Sequence, residues 1–316
     1  MNSNNKNLIK ILDINTLVIS GGGMKGFLFL GAIRLLFELD IIKKIKYFYG
    51  TSIGGFVILC LNLGWNLEET LKFSINFPID SIIEFDIDTF IENYALVPKI
   101  NFETIIKKII TYKGFNENIT FSELYSLTSK EINFITYSLK NNDSLVINHI
   151  NTPNLMVWKG LYMTASLPIL IPPYIHDNDI FIDGGIIDNF PIDRVKLENR
   201  SKIFGICANP YTPIWSNLEK NILNKEFINY SLELIKIFFS RPKNYLTNNY
   251  IRLNNTNMND MFDFKMNSEM KEKLINIGYQ QSLEQIDSII ENIFKEQIKS
   301  NNNNNNKHRF TTYNEI

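Results

Sequence analysis

The apolar positions in the first part of the chain change period twice. Residues 16–20, Thr-Leu-Val-Ile-Ser, form a short β-branched run that stops at a glycine, as a strand buried on both faces does. Beyond Gly26 the apolar residues Phe27, Leu28, Leu30, Ile33, Leu36, Phe37 and Leu39 recur mostly three or four apart, which predicts a helix ending near Asp40. Residues 45–49 then predict a second strand, and 56–61 continue as a buried helix. Strand, glycine-rich turn and helix, twice over, predict an open α/β sheet with active loops at the carboxyl ends of its strands.

Both turns carry candidate chemistry. Gly50-Thr51-Ser52-Ile53-Gly54 is a G-x-S-x-G, preceded by the cluster Gly21-Gly22-Gly23-Met24-Lys25-Gly26. A serine on a strand-to-helix turn is held in a strained conformation with its hydroxyl exposed, and Gly50 and Gly54 let neighbouring backbone pass close by. If Ser52 attacks an acyl carbonyl, an oxyanion forms. Backbone N–H groups of residues 21–26, at the head of the first helix, are aimed where such a charge would sit, and Lys25 stands among them. Gly21-x-Gly23-x-x-Gly26 also fits a dinucleotide fingerprint, which wants an acid about 20 residues on, at the end of the second strand. That strand runs into Tyr49-Gly50-Thr51-Ser52, and Asp40 precedes it. A P-loop needs Lys and Ser or Thr after its last glycine, where Phe27 stands. A purely structural turn is the third reading of the cluster.

A hydroxyl needs a base. Of the three histidines, His149 lies in a loop-like stretch, His176 in a turn between strands, and His308 beyond a run of asparagines. A Ser…Asp…His order needs a histidine late in the fold, and only His308 lies there, in the wrong context. Asp183 is the better candidate. It ends a strand-like run and precedes Gly184 and Gly185, which would permit tight backbone approach and positive φ beside the carboxylate. An ordinary Asp-Gly turn is the plain alternative. Burial would be needed to lift its pKa from about 3.9 to a useful value.

These motifs together resemble the patatin-like phospholipases, whose marks are G-G-G-x-[K/R]-G, G-x-S-x-G and D-G-[G/A]. They stand here as residues 21–26, 50–54 and 183–185. Ala165-Ser166-Leu167-Pro168 with Pro172-Pro173, Asn189-x-Pro191, and Phe262-Asp263-Phe264 followed by residues 271–279 extend the likeness. The resemblance implies a three-layer α/β sandwich with a mainly parallel sheet flanked by helices. It also implies a Ser52–Asp183 dyad acting through an acyl-serine on a phospholipid or acylglycerol, with no cofactor and no metal. A soluble carboxylesterase or thioesterase would share the mechanism. Residues 66–150 carry no family mark; selectivity is usually set by such a region, so the resemblance leaves specificity open.

Composition narrows the setting. With 316 residues and 45% hydrophobic content, the chain can bury one large domain. We expect a polar segment over 1–13, an acyl-hydrolase domain over 14–293 and an asparagine-rich disordered tail over 294–316. A net charge of -1 gives no field for nucleic acid. Cys60 and Cys207 lie in apolar runs and read as buried thiols. The amino terminus lacks the apolar core of a secretion signal, which points to an intracellular protein, soluble or peripherally attached to membrane. Residues 47–67 carry no charge, yet their glycines and asparagines indicate a buried strand, turn and helix instead of a bilayer span. Residues 221–239 predict an amphipathic helix with a lysine rim, packed on the sheet or, in a sharper reading, lying on a lipid surface.

Overall fold

The computed structural model describes residues 3–78, 94–208, 234, 235, 237, 238, 243–254 and 266–312. Among the described residues, eight strands form one sheet: β1 (Thr16–Ile19), β2 (Tyr47–Thr51), β3 (Glu131–Ser138), β4 (Asp143–Ile147), β5 (Tyr174–His176), β6 (Asp179–Asp183), β7 (Ile203–Ala208) and β8 (Tyr250–Leu253). β8, β7, β1, β2 and β3 run parallel, whereas β4, β5 and β6 pair antiparallel. The sheet is therefore mixed, with a parallel half and an antiparallel edge. β2 runs on to Thr51, beyond the expected residue 49, because Gly50 and Thr51 still pair with Phe134 and Ile135 of β3.

Both faces are covered, one by the α-helices and the other, among the described residues, by Phe190, Ile192 and Val195 around the 3-10 turn Pro191–Arg194. β1 is buried throughout, with Leu17 and Ile19 in one apolar cluster and Val18 in another that holds Tyr49, Phe190, Ile203 and Cys207. Such alternation to two cores is what a central strand in a three-layer molecule requires. The layers contain α2 (Gly26–Glu38), α3 (Ile53–Asn62), α4 (Leu67–Asn76), α5 (Lys99–Tyr112), α6 (Phe121–Thr128), α7 (Val157–Ala165), the short α8 (Gly185–Asp188) and α9 (Ser268–Thr312). Capping boxes fix two starts, Asn66 with Glu69 for α4 and Thr120 with Glu123 for α6.

The ends differ from expectation. Residues 3–11, within the segment expected to be simply polar, form helix α1 (Ser3–Ile11), which buries Ile9. α9 continues through Asn301 to Asn306, where a disordered tail was expected, since extending an existing helix needs no new nucleus. Most of the helix expected over 221–239, and the whole of Phe262-Asp263-Phe264, lie outside the described residues. Among the described residues no helix is long and apolar enough to cross a membrane. Residues 47–67 resolve into β2, a turn and the buried helix α3. Both cysteines are free and buried.

Candidate active site

The sheet register explains why Ser52 and Asp183 meet. β4 covers one edge of β3 over Phe134–Ser138, so β2 and β6 must share the other edge. β2 pairs along Glu131 to Ile135 and β6 along Thr136 to Ser138, running in opposite directions. Their carboxyl ends therefore arrive head to head, Thr51 opposite Ile135 and Asp183 opposite Thr136, one ladder step of about 3.3 Å apart along β3. Ser52 follows Thr51 directly.

Ser52 caps α3 with φ 53° and ψ −123°, a conformation that costs a serine about 1–3 kcal/mol unless its surroundings enforce it. They do. Gly54 lies so close to β1 that a Cβ there would come within 2.5 Å and 2.6 Å of the Ile19 and Ser20 carbonyl oxygens. The Ser52 N–H donates to Thr164 Oγ1 (3.1 Å), and that hydroxyl donates to the Ile135 carbonyl. Thr51 Oγ1 donates to the Asp188 carbonyl (3.2 Å).

The glycine cluster wraps over the elbow. A Cβ on Gly21 would strike Asn189 Oδ1 and approach Ser52 Cβ to 3.3 Å. Not all six residues keep a donor to offer. The Gly21 N–H is taken by the Asn189 carbonyl (2.9 Å), that of Lys25 by the Gly22 carbonyl (3.1 Å), and that of Gly26 by the Gly23 and Met24 carbonyls. Gly22, Gly23 and Met24 are left with N–H groups in no backbone hydrogen bond among the described residues, with Gly23 at φ 53°. The Lys25 side chain is half-buried near Cys207, and burial lowers its pKa. It does not line the cavity described below.

Asp183 is fully buried. Its N–H donates to the Ser166 carbonyl (2.9 Å), and its Oδ1 accepts the Gly185 N–H (2.7 Å). Burial raises the carboxyl to about 7, against smaller opposing pulls from the Ser52 hydroxyl and the Gly185 N–H. Oδ2 nonetheless closes no hydrogen bond of normal length and angle among the described residues. The hydroxyl is thus near enough to act on the carboxylate while the bond itself stands open, a state in which catalytic contacts often rest before substrate arrives. The expected positive φ is absent here: Gly184 is helical at φ −65°, and Gly185 likewise lacks positive φ. Gly184 is needed for close approach, because a Cβ would collide with the Ile135 carbonyl.

The serine opens into a cavity of about 230 Å³. Gly23, Met24 and Gly26 line it beside Ser52, and its walls come from α2, α3, α4, α5 and residues 165–171. Among the described residues, almost every lining side chain is apolar and none is charged; Ser52, Cys60, Thr70 and Ser74 supply the polar atoms.

The histidines lie elsewhere. His149 stacks on Tyr125 at 3.8 Å and sits 4.0 Å from Glu131, the first residue of β3. Four ladder steps, about 13 Å, separate Glu131 from the Ile135 level of the elbow. His176 pairs with Asp179 at the far end of the β5–β6 hairpin, four residues from Asp183. Thr164 and the Asp188 carbonyl were missed by sequence reasoning. Thr164 stands directly before the recognised segment 165–168, which was its one available signal.

The family model for patatin-like phospholipases matches residues 17–196, more than half of the chain. The chain belongs to the patatin-like phospholipase family. Over 217 residues it is 29% identical to a probable lipid hydrolase of Invertebrate iridescent virus 6, covering 66% of this chain and 72% of that protein. A protein of Acanthamoeba polyphaga mimivirus is 28% identical over 183 residues, 57% of this chain and 60% of that one. Triacylglycerol lipase 5 of Saccharomyces cerevisiae is 24% identical over 274 residues, which take in 73% of this chain and 35% of the lipase. The chain thus spans under two thirds of the mimivirus protein and about a third of the yeast one. The crystal structure of VipD from Legionella pneumophila shares the fold with a TM-score of 0.52 at 15% identity, over 87% of this chain and 67% of that chain.

Proposed function

We propose that the protein is a lipid acyl hydrolase that cleaves carboxylic esters of phospholipids or acylglycerols with Ser52 as nucleophile and Asp183 as base. One observation carries the reading: a strained serine at the mouth of an uncharged apolar cavity, beside a buried carboxyl whose pKa is about 7. A base works best when its pKa lies near the working pH.

Asp183 takes the hydroxyl proton as Ser52 Oγ attacks the ester carbonyl. The N–H groups of Gly22, Gly23 and Met24 hold the resulting oxyanion, a type of contact worth roughly 100- to 1000-fold in rate for each donor. The tetrahedral intermediate collapses, the C–O bond breaks, and the departing alcohol takes the proton from Asp183. Water then attacks the acyl-serine with Asp183 again accepting a proton; the acyl–Oγ bond breaks, Ser52 Oγ takes that proton back, and the fatty acid leaves.

The apolar lining favours a lipid over a small water-soluble ester or thioester, because a short acyl group would leave most of it uncovered. An apolar cavity of about 150 Å³ already takes up benzene, so this one has room for a length of hydrocarbon. The names of the viral relative, probable lipid hydrolase, and of the yeast relative, triacylglycerol lipase, agree with this reading. Such a substrate resides in a membrane or droplet, so peripheral contact with a lipid surface is part of the proposal. Fatty-acid release from phosphatidylcholine vesicles and triacylglycerol emulsions, measured for the wild type and Ser52→Ala, tests it. Release that survives the substitution, or activity confined to acetyl esters, would overturn it.

A further inference from the structure

The cavity has a direction. On α3 it is lined by one helical face, Ile53, Phe56, Val57 and Cys60, which begins one residue after the serine and ends at Cys60. Residues 63–66 join α3 to α4, and the α4 lining residue nearest that connection is Thr70. Cys60 and Thr70 therefore mark the end remote from Ser52. The wall is closed behind them. Phe73 packs edge-on against Trp65 at 5.2 Å, and Trp65, itself buried and outside the lining, lies 4.5 Å from Tyr112 of α5.

α4 is held from both ends. Lys113, the residue that caps the end of α5, pairs with Glu69 in its first turn at 3.0 Å. The buried Lys271 of α9 donates to the Ile75 and Phe77 carbonyls at its last turn (3.1 and 2.7 Å), satisfying oxygens that a helix end leaves open. A wall fixed in this way can measure length.

Eight residues separate Ser52 from Cys60, and at 1.5 Å of helix rise per residue they span about 12 Å. A fully extended peptide advances about 3.3–3.6 Å over three backbone bonds, hence roughly 1.1–1.2 Å per bond, and a hydrocarbon zigzag is similar. About ten carbons thus reach from the serine to the floor.

We propose that Cys60 and Thr70 form the floor of an acyl ruler, so that chain-length selectivity breaks at about ten carbons. The proposal rests on the acyl-hydrolase reading above. Up to the floor, each methylene exchanges water for apolar wall, which raises kcat/KM about fourfold. Beyond it, a further carbon has to turn back toward the opening and gains nothing.

The test is kcat/KM of the full chain for 4-nitrophenyl esters from butanoate to hexadecanoate, each below its critical micelle concentration. The values are expected to climb to about decanoate and then level or fall; a climb sustained through hexadecanoate, or no dependence on length, overturns the ruler. In Cys60→Phe and Thr70→Leu, checked for folding by circular dichroism and thermal unfolding, the decanoate-to-butanoate ratio is expected to drop about tenfold. An unchanged ratio in folded variants also overturns it, and if one variant does not fold, the other and the wild-type series decide. Absence of turnover for every ester would instead refute the hydrolase reading itself.

Discussion

Two buried aspartates, five residues apart, sit in opposite surroundings. Asp183 ends β6 with a single backbone N–H on one oxygen and no closed hydrogen bond on the other. Asp188 ends α8 with both oxygens paired, Oδ2 to Arg194 Nε at 2.7 Å and Oδ1 to Lys243 Nζ at 3.1 Å. Burial without a cation raises a carboxyl toward the range of a useful base, whereas paired cations fix a carboxylate in place. The first arrangement suits proton transfer. The second ties three loops together, because the Asp188 carbonyl receives Thr51 Oγ1 and the next residue, Asn189, receives the Gly21 N–H. The lesson is that under-pairing, more than burial, separates the proposed working carboxylate from its structural neighbour.

Substitutions test this contrast in order of effect. Ser52→Ala is expected to reduce kcat/KM for a chromogenic long-chain ester on the order of 10,000-fold or more with an unchanged circular dichroism spectrum; a loss under tenfold would remove Ser52 from the chemistry. Asp183→Asn is expected to cost about 1000- to 10,000-fold.

The same substitution should act on stability in the opposite sense. The folded pKa of Asp183, about 7, lies above its unfolded value of 3.8, so its contribution is present in full below about pH 4 and is lost as pH rises toward 7. Thermal unfolding of Asp183→Asn should therefore gain on the wild type between pH 5 and 8, by at most about 3 kcal/mol. A variant that is less stable than wild type at pH 8 would contradict the unpaired state of this carboxyl.

Asp188→Asn should instead destabilise the fold by removing two ion pairs. Arg194 and Lys243 are partly exposed, at 36% and 45%, so the loss falls below that of a fully buried pair, about 1–3 kcal/mol by chemical denaturation. The activity of the folded fraction should drop less than tenfold. Equal catalytic damage at both aspartates would erase the distinction. The smallest effects are expected at the histidines: His149→Ala and His176→Ala should leave kcat/KM within about twofold in a steady-state assay, since both lie about 13 Å from the elbow level.

Much of this was legible in the chain because local rules write it locally. The runs 16–20 and 45–49 announced the two strands, and Gly50 and Gly54 marked an elbow whose backbone contacts leave no room for a Cβ. Three features were not legible, each for a tertiary reason. The positive φ expected at Gly184 and Gly185 was wrong because the glycine serves close passage over Ile135 instead of a turn. Thr164 supports the Ser52 N–H only because α7 packs over the end of β3, which no spacing reveals. Thr70, Phe73, Phe102 and Ile109, from the unmarked stretch 66–150, look like ordinary core residues until α4 and α5 stand around a cavity. The cavity they line takes its shape between helices, which no local pattern reveals.

The most direct test of the central claim is the rate at which a long-chain alkyl fluorophosphonate labels Ser52, located by mass spectrometry, between pH 5 and 9. With Asp183 as base, the wild-type rate should rise through an apparent pKa near 7 and level off, while Asp183→Asn reacts slowly at every pH. Labelling at another residue, or a variant with the wild type's rate and pH profile, would contradict the account.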